Sequence, residues 1–372
     1  MAQEIGVGLI GYGAIGRMHA LCYRMLPLAY PDLPVAARIM AVATAGAASA
    51  ERARRELGDI ATTTDAGDLL RRSDVALVDC CAPTGNHARL AGEALLAGKA
   101  LFCEKPLTAD AAESARIVAL ARERGLAGGV NFHFRQVPAL VEARRLVEAG
   151  LLGEPIGFHL RYYRSSNLRR DKPATWRSAG PGSGVLIDLG SHLIDLVLHL
   201  LGPIATVTAR TRTLVAERPG PDGQTVRIDS DDVAWLQLEL AGGGHGTIEV
   251  SKLVPGAGDN LRVEAYGSQG ALFFDARDPN ILEVAEGASA GLGGRRIITA
   301  SRTIPPAALP TPETPTGVVQ WHLASIAAFL RALGDGTAPR PDLDAGLRVD
   351  RVIGAAFESA ARGGAVVAVP AS

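Results

Sequence analysis

Cysteine is sparse in this chain, long apolar runs are missing, and net charge is almost nil. Four cysteines, Cys22, Cys80, Cys81 and Cys103, occur in 372 residues, with no CxxC pair among them. That spacing offers no disulfide framework, and the thiols are expected to be packing groups in a reducing cytoplasm. No apolar stretch approaches the ~20 residues that span a bilayer. Met1-Ala2-Gln3-Glu4 carries no positive region ahead of the first apolar run, so it reads as the lead into a strand rather than a signal peptide. A formal net charge of −1 provides no long-range field for nucleic acid or an anionic membrane. There is no GxSxG, and no P-loop lysine, since Gly16 is followed by Arg17-Met18. The histidines are scattered, and no metal site is expected. The partner left by these exclusions is a small molecule.

What is present is enough chain, and enough apolar residues (47%, against 21% charged), for two packed domains. From Ile5 to about Val130, short apolar runs alternate with helix-like segments. The spacing predicts strands at Ile5–Ile10, Ile39–Ala43, Val75–Cys81, Ala100–Cys103 and Gly129–Phe132. Helices are predicted from Gly16 to Leu26, where Pro27, Pro31 and Pro34 break the chain, from Asn86 to Ala97, and up to Arg124. Strands separated by helices imply βαβ units and a parallel sheet. After Arg135 the texture changes. A helix over Ala139–Ala149 is followed by period-two strands such as Val233–Leu240, joined by glycine turns such as Gly242-Gly243-Gly244, which is the pattern of an antiparallel sheet. A proline-rich stretch, Pro305 to Pro315, precedes two terminal helices near Gln320–Leu333 and Ala345–Ala361. The fold class expected is α/β: a doubly wound Rossmann domain over residues 1–132, then an α+β domain with a mainly antiparallel open sheet over 133–372, whose last helices can pack back on the first.

Gly11-Tyr12-Gly13-Ala14-Ile15-Gly16 stands where a strand meets a helix. There the first glycine makes the turn, the second lets the backbone approach a pyrophosphate, and the third packs helix on strand. The helix N-terminus adds free N–H groups. The same pattern expects an acid at the end of the second strand for the ribose hydroxyl. Here that strand ends Ala43-Thr44-Ala45-Gly46, and the first acid is Glu51, followed by Arg52, Arg54 and Arg55. NAD or NADP is therefore the expected cofactor, with a lean to NADP.

Two further features carry chemistry. Glu104-Lys105-Pro106 places a lysine at the end of a buried strand, on the sheet edge where open α/β folds bind ligands. A surface lysine is the plain alternative. Gly184 to Asp195 reads as the start of an apolar helix with Asp188 and His192 on one face, where a carboxylate can orient an imidazole for acid–base work. A satisfied core pair is the alternative there.

Taken in order, the glycine loop, Ala82-Pro83-Thr84-Gly85-Asn86-His87, Glu104-Lys105-Pro106, Asn131-Phe132-His133-Phe134-Arg135 and Asp188-Leu189-Gly190-Ser191-His192 resemble the Gfo/Idh/MocA family across nearly the whole chain. The resemblance implies hydride transfer between a nicotinamide and a hydroxyl or carbonyl carbon of a sugar, sugar derivative or cyclitol. It implies that Lys105 and His192 flank the reacting carbon, with Asp188 beside them. Gly11 to Gly16, Thr44, Ala82, Pro83, Thr84, Asn86, His87, Glu104 and Lys105 would lie along the cofactor, and the Lys105-Pro106 bond is often cis in relatives. Lys105, His133, Tyr163, Arg164, Trp176, Asp188 and His192 are the substrate-binding candidates. Alternation puts Arg161 and Tyr163 on one face of their strand and Tyr162 and Arg164 on the other, so only one pair can line a pocket. A cytoplasmic homodimer or homotetramer is implied, and the alternatives are a reductase of a non-sugar carbonyl or diol and a cofactor-sensing regulator without catalysis.

Overall fold

The computed structural model describes residues 3–220, 222–287, 294–300, 302–311 and 313–371; Met1 and Ala2 of the N-terminal reading and Pro312 of the proline-rich stretch lie outside them. Along the chain the first elements are β1 (Gln3–Ile10), α1 (Ala14–Ala29), β2 (Val35–Ala43), α2 (Ala47–Leu57), β3 (Ala61–Thr63), α3 (Ala66–Leu70), β4 (Leu77–Cys80), α4 (His87–Leu96), β5 (Ala100–Glu104), α5 (Ala111–Glu123) and β6 (Gly128–Asn131). Then come α6 (Pro138–Glu148), β7 (Pro155–Arg164), a π-helical turn at Leu186–Gly190, α7 (Ser191–Leu200), β8 (Ile204–Arg212), β9 (Glu217–Pro219) and β10 (Thr225–Arg227). The chain continues through β11 (Val233–Leu240), β12 (His245–Ser251), β13 (Asp259–Gly267), β14 (Gly270–Asp275), β15 (Ile281–Glu286), β16 (Arg295–Ile298), α8 (Val318–Gly334), α9 (Leu343–Ala361) and β17 (Val367–Ala368).

The chain divides into two compact units, Met1–Gln136 with Thr303–Leu347, and Val137–Arg302 with Arg348–Ser372. In the first, six strands pair in the order β3-β2-β1-β4-β5-β6, all parallel. This is the doubly wound order, with its switch point between β1 and β4. The strands are buried on both sides, so they read as continuous apolar runs: Leu77, Val78 and Cys80 of β4 are fully enclosed. Helix α8 belongs to this unit. Its Leu323, Ile326, Ala327 and Leu330 share one core with Tyr23 and Leu26 of α1 and Phe102 of β5.

Helix α1 runs to Ala29 with Pro27 inside it, so Pro27 does not break the chain as its sequence suggests. It sits close enough to the helix end that only one backbone hydrogen bond is forfeited. The second strand starts at Val35 rather than Ile39, and the edge strand β3, of three residues, carries too short a pattern to be read from sequence.

In the second unit nine strands pair in the order β16-β15-β14-β13-β7-β12-β11-β8-β17. Only β7 and β12 run parallel. The glycine turn after β11 makes the expected hairpin, with Gly243 and Gly244 at positive φ. Alternate residues divide the sheet faces: Phe158, Leu160 and Tyr162 of β7 are buried, as are Leu236 and Leu238 of β11, while Trp235 on the other face is 41% exposed. Helices α6 and α7 pack on this sheet, and α7, being apolar nearly all round, is buried along almost its whole length.

Candidate active site

In the first unit, the C-terminal ends of β1, β4 and β5 carry the motif residues, at and beside the switch point. The glycine loop has the geometry that its three glycines should impose. Gly11 has φ +95°, and a Cβ there would lie 2.6 Å from the Cys81 carbonyl oxygen. A Cβ on Gly16 would lie 2.0 Å from the Gly11 oxygen, so α1 can pack this close only with glycine. A Cβ on Gly13 would meet nothing within 4 Å. Its missing side chain therefore serves no internal packing, and it leaves open the approach to the start of α1. No side chain caps that helix and no acid lies in its first turn, so its N–H groups and dipole remain available to an anion. These residues fit a dinucleotide pyrophosphate. Tyr12 contributes only backbone to the loop, because its ring is buried and its hydroxyl donates to Glu56 at 3.1 Å.

Thr44 follows β2, buried, with its hydroxyl donating to the Gly46 carbonyl at 3.0 Å. Ala45 and Gly46 beyond it are exposed. Glu51 is paired with Arg54. After β4, Thr84 is buried and Asn86 exposed, whereas His87 is turned inward. Its ring nitrogens lie 2.9 Å from the carbonyl oxygens of Pro106 and Ala82. The side chain thus bridges the two loops.

Lys105 is half-buried and its bond to Pro106 is cis, as the resemblance implies. Behind it lies a polar cluster that sequence alone did not reveal. His19 on α1 has Nδ1 2.9 Å from Asp79 Oδ2 and Nε2 3.2 Å from Glu104 Oε1. Asn131 Nδ2 donates to Glu104 Oε1 at 2.6 Å and lies 2.9 Å from His322 Nδ1. Burial alone would lower the His19 pKa, but Asp79 foremost, and then Glu104, raise it to about 10. Glu104 is driven the opposite way: burial would raise it, and the His19 contacts bring it down to about 2. His322 is lowered to about 4, first by burial and then by His19. His133, an expected substrate group, is stacked on His322 with ring centroids 4.1 Å apart.

In the second unit the π-helical turn carries Asp188, and His192 follows in the first turn of α7. Two features fix that turn. Gly184 has φ +108°, and a Cβ there would strike Asp231 Oδ1; Asp231 Oδ2 accepts the Leu186 N–H at 2.7 Å. The Asp188 carboxylate accepts from Lys252 Nζ at 2.5 Å, with Arg177 Nε at 3.9 Å. Lys252 is a buried cation that no motif announced. The only signal for it was a lysine directly after a strand of alternating apolar and polar residues. Arg177 stacks over the Trp176 ring at 4.1 Å.

The alternation along β7 resolves which pair accompanies His192. The Tyr162 ring lies 6.3 Å from that of His192, and the Tyr162 hydroxyl donates to Asp259, which also pairs with Arg164. Tyr163 points to the other face, where Arg161 lies over its ring at 5.5 Å. Tyr163 and Arg164, both named as substrate candidates, therefore stand on opposite faces of β7, as the alternation requires. Side-chain alternation separates them, and Tyr162 takes the place beside Arg164.

No helix among the described residues is long and apolar enough to cross a membrane. Two family models cover the chain: the oxidoreductase family's NAD-binding Rossmann fold over residues 5–132 and its C-terminal alpha/beta domain over residues 144–369. The chain is 28% identical to a levoglucosan dehydrogenase of Pseudarthrobacter phenanthrenivorans, over 97% of each protein. It is also 28% identical to the NAD(+)-dependent scyllo-inositol 2-dehydrogenase of Bacillus subtilis, over 74% of this chain and 75% of that one. A solved levoglucosan dehydrogenase in complex with NADH and L-sorbose superimposes with a TM-score of 0.92, at 28% identity and over 100% of both chains. With the doubly wound order, the glycine cradle and both family models in agreement, the chain belongs to the Gfo/Idh/MocA family of NAD-binding oxidoreductases.

Proposed function

We propose that this protein transfers hydride between a nicotinamide dinucleotide and a hydroxyl-bearing ring carbon of a sugar, sugar derivative or cyclitol. The observation that carries this reading is Lys105 at the C-terminal end of β5, beside the switch point at which the glycine loop opens. Bound there, the nicotinamide would supply the hydride acceptor. Gly11, Gly13, Ala14, Ile15 and Gly16 would hold the pyrophosphate through backbone, and Pro83, Thr84 and Asn86 would lie beside it. Lys105 orients and polarises the reacting oxygen, and His192 takes its proton as the carbon–hydrogen bond breaks. Asp188, which accepts from Lys252, supports the imidazolium so formed. Arg164, Tyr162 and Trp176 bind the polyol, the aromatic rings offering a face for a sugar.

We further infer that NADP is accepted as well as NAD. No carboxylate stands at the end of β2 to repel a 2′-phosphate, and Glu51 is paired with Arg54. The proposed working division is a cofactor domain over residues 1–132 and a substrate and oligomerisation domain over 133–372, the protein being a dimer or tetramer.

A panel of levoglucosan, L-sorbose and inositols with NAD and with NADP, followed by nicotinamide absorbance, tests the function. Turnover of at least one polyol is expected, with Lys105→Ala and His192→Ala reducing kcat by on the order of 10²–10⁴ while still binding cofactor. Tight cofactor binding with no turnover of any polyol would instead indicate a sensor.

A further inference from the structure

The cluster behind Lys105 has no part in the chemistry above, yet it gathers two acids, two histidines and an asparagine in the core of the first unit. Asp79 and His19 are completely buried and Glu104 nearly so. Two carboxylates in such a place require a cation, because an uncompensated buried charge is strongly unfavourable. His19 is placed to be that cation, with one ring nitrogen on each acid. The second carboxylate oxygen continues the chain: Glu104 Oε2 accepts the backbone N–H of Lys105 at 3.3 Å.

We propose that His19 is a positioning residue for Lys105, a buried imidazolium that locks Asp79 and Glu104 in place and, through Glu104, fixes the backbone from which the lysine projects. This rests on the reading of Lys105 as the group that handles the reacting oxygen.

Groups facing His19 come from every element packed against it. Asp79 and Cys81 approach from the end of β4, the Cys81 sulfur lying 3.3 Å from Nδ1. Glu104 comes from β5, Asn131 from β6 and His322 from α8. Asn131 Nδ2 lies 3.0 Å from His19 Nε2, but its two N–H groups are directed at Glu104 and His322, so the two nitrogens meet without a hydrogen bond. His322 Nδ1 thus faces two donors and serves as the neutral acceptor. Burial raises the Cys81 thiol, which stays protonated. The ionised members are then Asp79, Glu104 and His19, with Lys105 acting on Glu104 from outside. Protein charge is balanced without any added ion.

A metal is the rival occupant, since the ligand atoms of His19, Glu104 and His322, and likewise those of His19, Asp79 and Cys81, lie within 4.8 Å of one another. Protons fit better. Asn131 Nδ2 occupies the space between His19, Glu104 and His322, and in the other group the Cys81 thiol is raised and so stays protonated, a poor ligand.

The experiment uses the full chain with 15N-labelled histidine, His19 being assigned by its disappearance in His19→Gln. Both His19 ring nitrogens should carry protons at neutral pH and still do so near about pH 9. An unprotonated His19 nitrogen at neutral pH, or one zinc bound per chain in the purified protein, would overturn the proposal. Asp79→Asn should make His19 lose its proton more than about one pH unit lower. It should bring the alkaline limb of the kcat profile down with it and reduce kcat by on the order of tenfold, leaving KM for NAD within about threefold; Asp79→Glu should restore all three. A role confined to packing would move neither the titration nor the profile, and that result also refutes the proposal. Turnover retained in Lys105→Met sinks the functional reading instead, whereas a singly protonated His19 sinks the network, so the two failures are distinct.

Discussion

The three loop glycines look alike in sequence, but the structure gives them different work, and substitution should separate them. An added Cβ on Gly13 meets nothing within 4 Å, and its φ of −78° suits any residue. Gly13→Val should therefore leave stability within about 0.5 kcal/mol, a melting shift of about 2 °C or less for a unit of this size. The added methyls would fill the space through which a pyrophosphate reaches the first N–H groups of α1. Losing one or two charge-assisted hydrogen bonds, each about 1.5–3 kcal/mol, weakens NADH binding by on the order of 10–10⁴-fold.

Gly16→Ala has the opposite signature. Its Cβ would stand 2.0 Å from the Gly11 oxygen, where contacts under 3.0 Å are essentially never seen. The helix must recede, and overpacking of that kind costs about 1–3 kcal/mol, or a melting point lower by about 3–10 °C. Thermal melts with and without NADH, beside a fluorescence titration of NADH, measure both quantities. Added NADH should raise the melting point of the parent, because it binds only the folded chain, and should not raise that of Gly13→Val. If Gly13→Val binds NADH within about threefold of the parent, or melts as low as Gly16→Ala, the assignment of these roles is wrong.

Three further outcomes are expected. Burial raises Asp231 to about 6 although the Leu186 N–H opposes it; an acid so raised favours the folded state at low pH and loses that contribution as pH rises through about 6. Asp231→Asn should thus be more stable than the parent by up to about 3 kcal/mol at neutral pH and no more stable near pH 4, in urea titrations. Asp188→Ala removes the carboxylate to which the buried Lys252 donates and should cost about 3 kcal/mol, more than Lys252→Met, which leaves Asp188 partly open to water; chemical denaturation ranks the two. Arg164→Ala and Tyr162→Phe should raise KM for the polyol while Tyr163→Ala changes it less than about threefold, and the reverse ranking would move substrate to the other face of the sheet.

Legibility in the sequence followed the range of the interactions concerned. The glycine loop, the apolar strands and the hairpin at Gly242-Gly243-Gly244 are set by neighbours along the chain, through backbone sterics and period-two or 3.6 patterns, and each is present where the pattern puts it apart from its ends, β2 beginning four residues early. Pro27 inside α1 and the short β3 escaped because tertiary packing overrides weak local preference. The face of β7 that accompanies His192 was undetermined for a different reason. Phe158 and Leu160 mark the Tyr162 face as the buried one, but that this face meets His192 depends on α7 packing against it, which no local pattern states.

The polar groups behind Lys105 lie at the far end of this scale. His19 and His322 are 303 residues apart, and Asp79, Glu104 and Asn131 sit at or near the ends of three different strands. Taken singly, each is a polar residue in an apolar run. Their spacing along the chain has no period and matches no ligand motif, so in sequence the histidines look scattered. The one local trace is that buried strands β4, β5 and β6 each carry a polar residue near the C-terminal end, at Asp79, Glu104 and Asn131. In a parallel sheet those ends lie side by side. Isolated polar residues recurring there imply a shared network, because none could be buried alone without a partner. That inference needs the strand order β4-β5-β6 before it can be drawn, and the order is a property of the fold rather than of any segment.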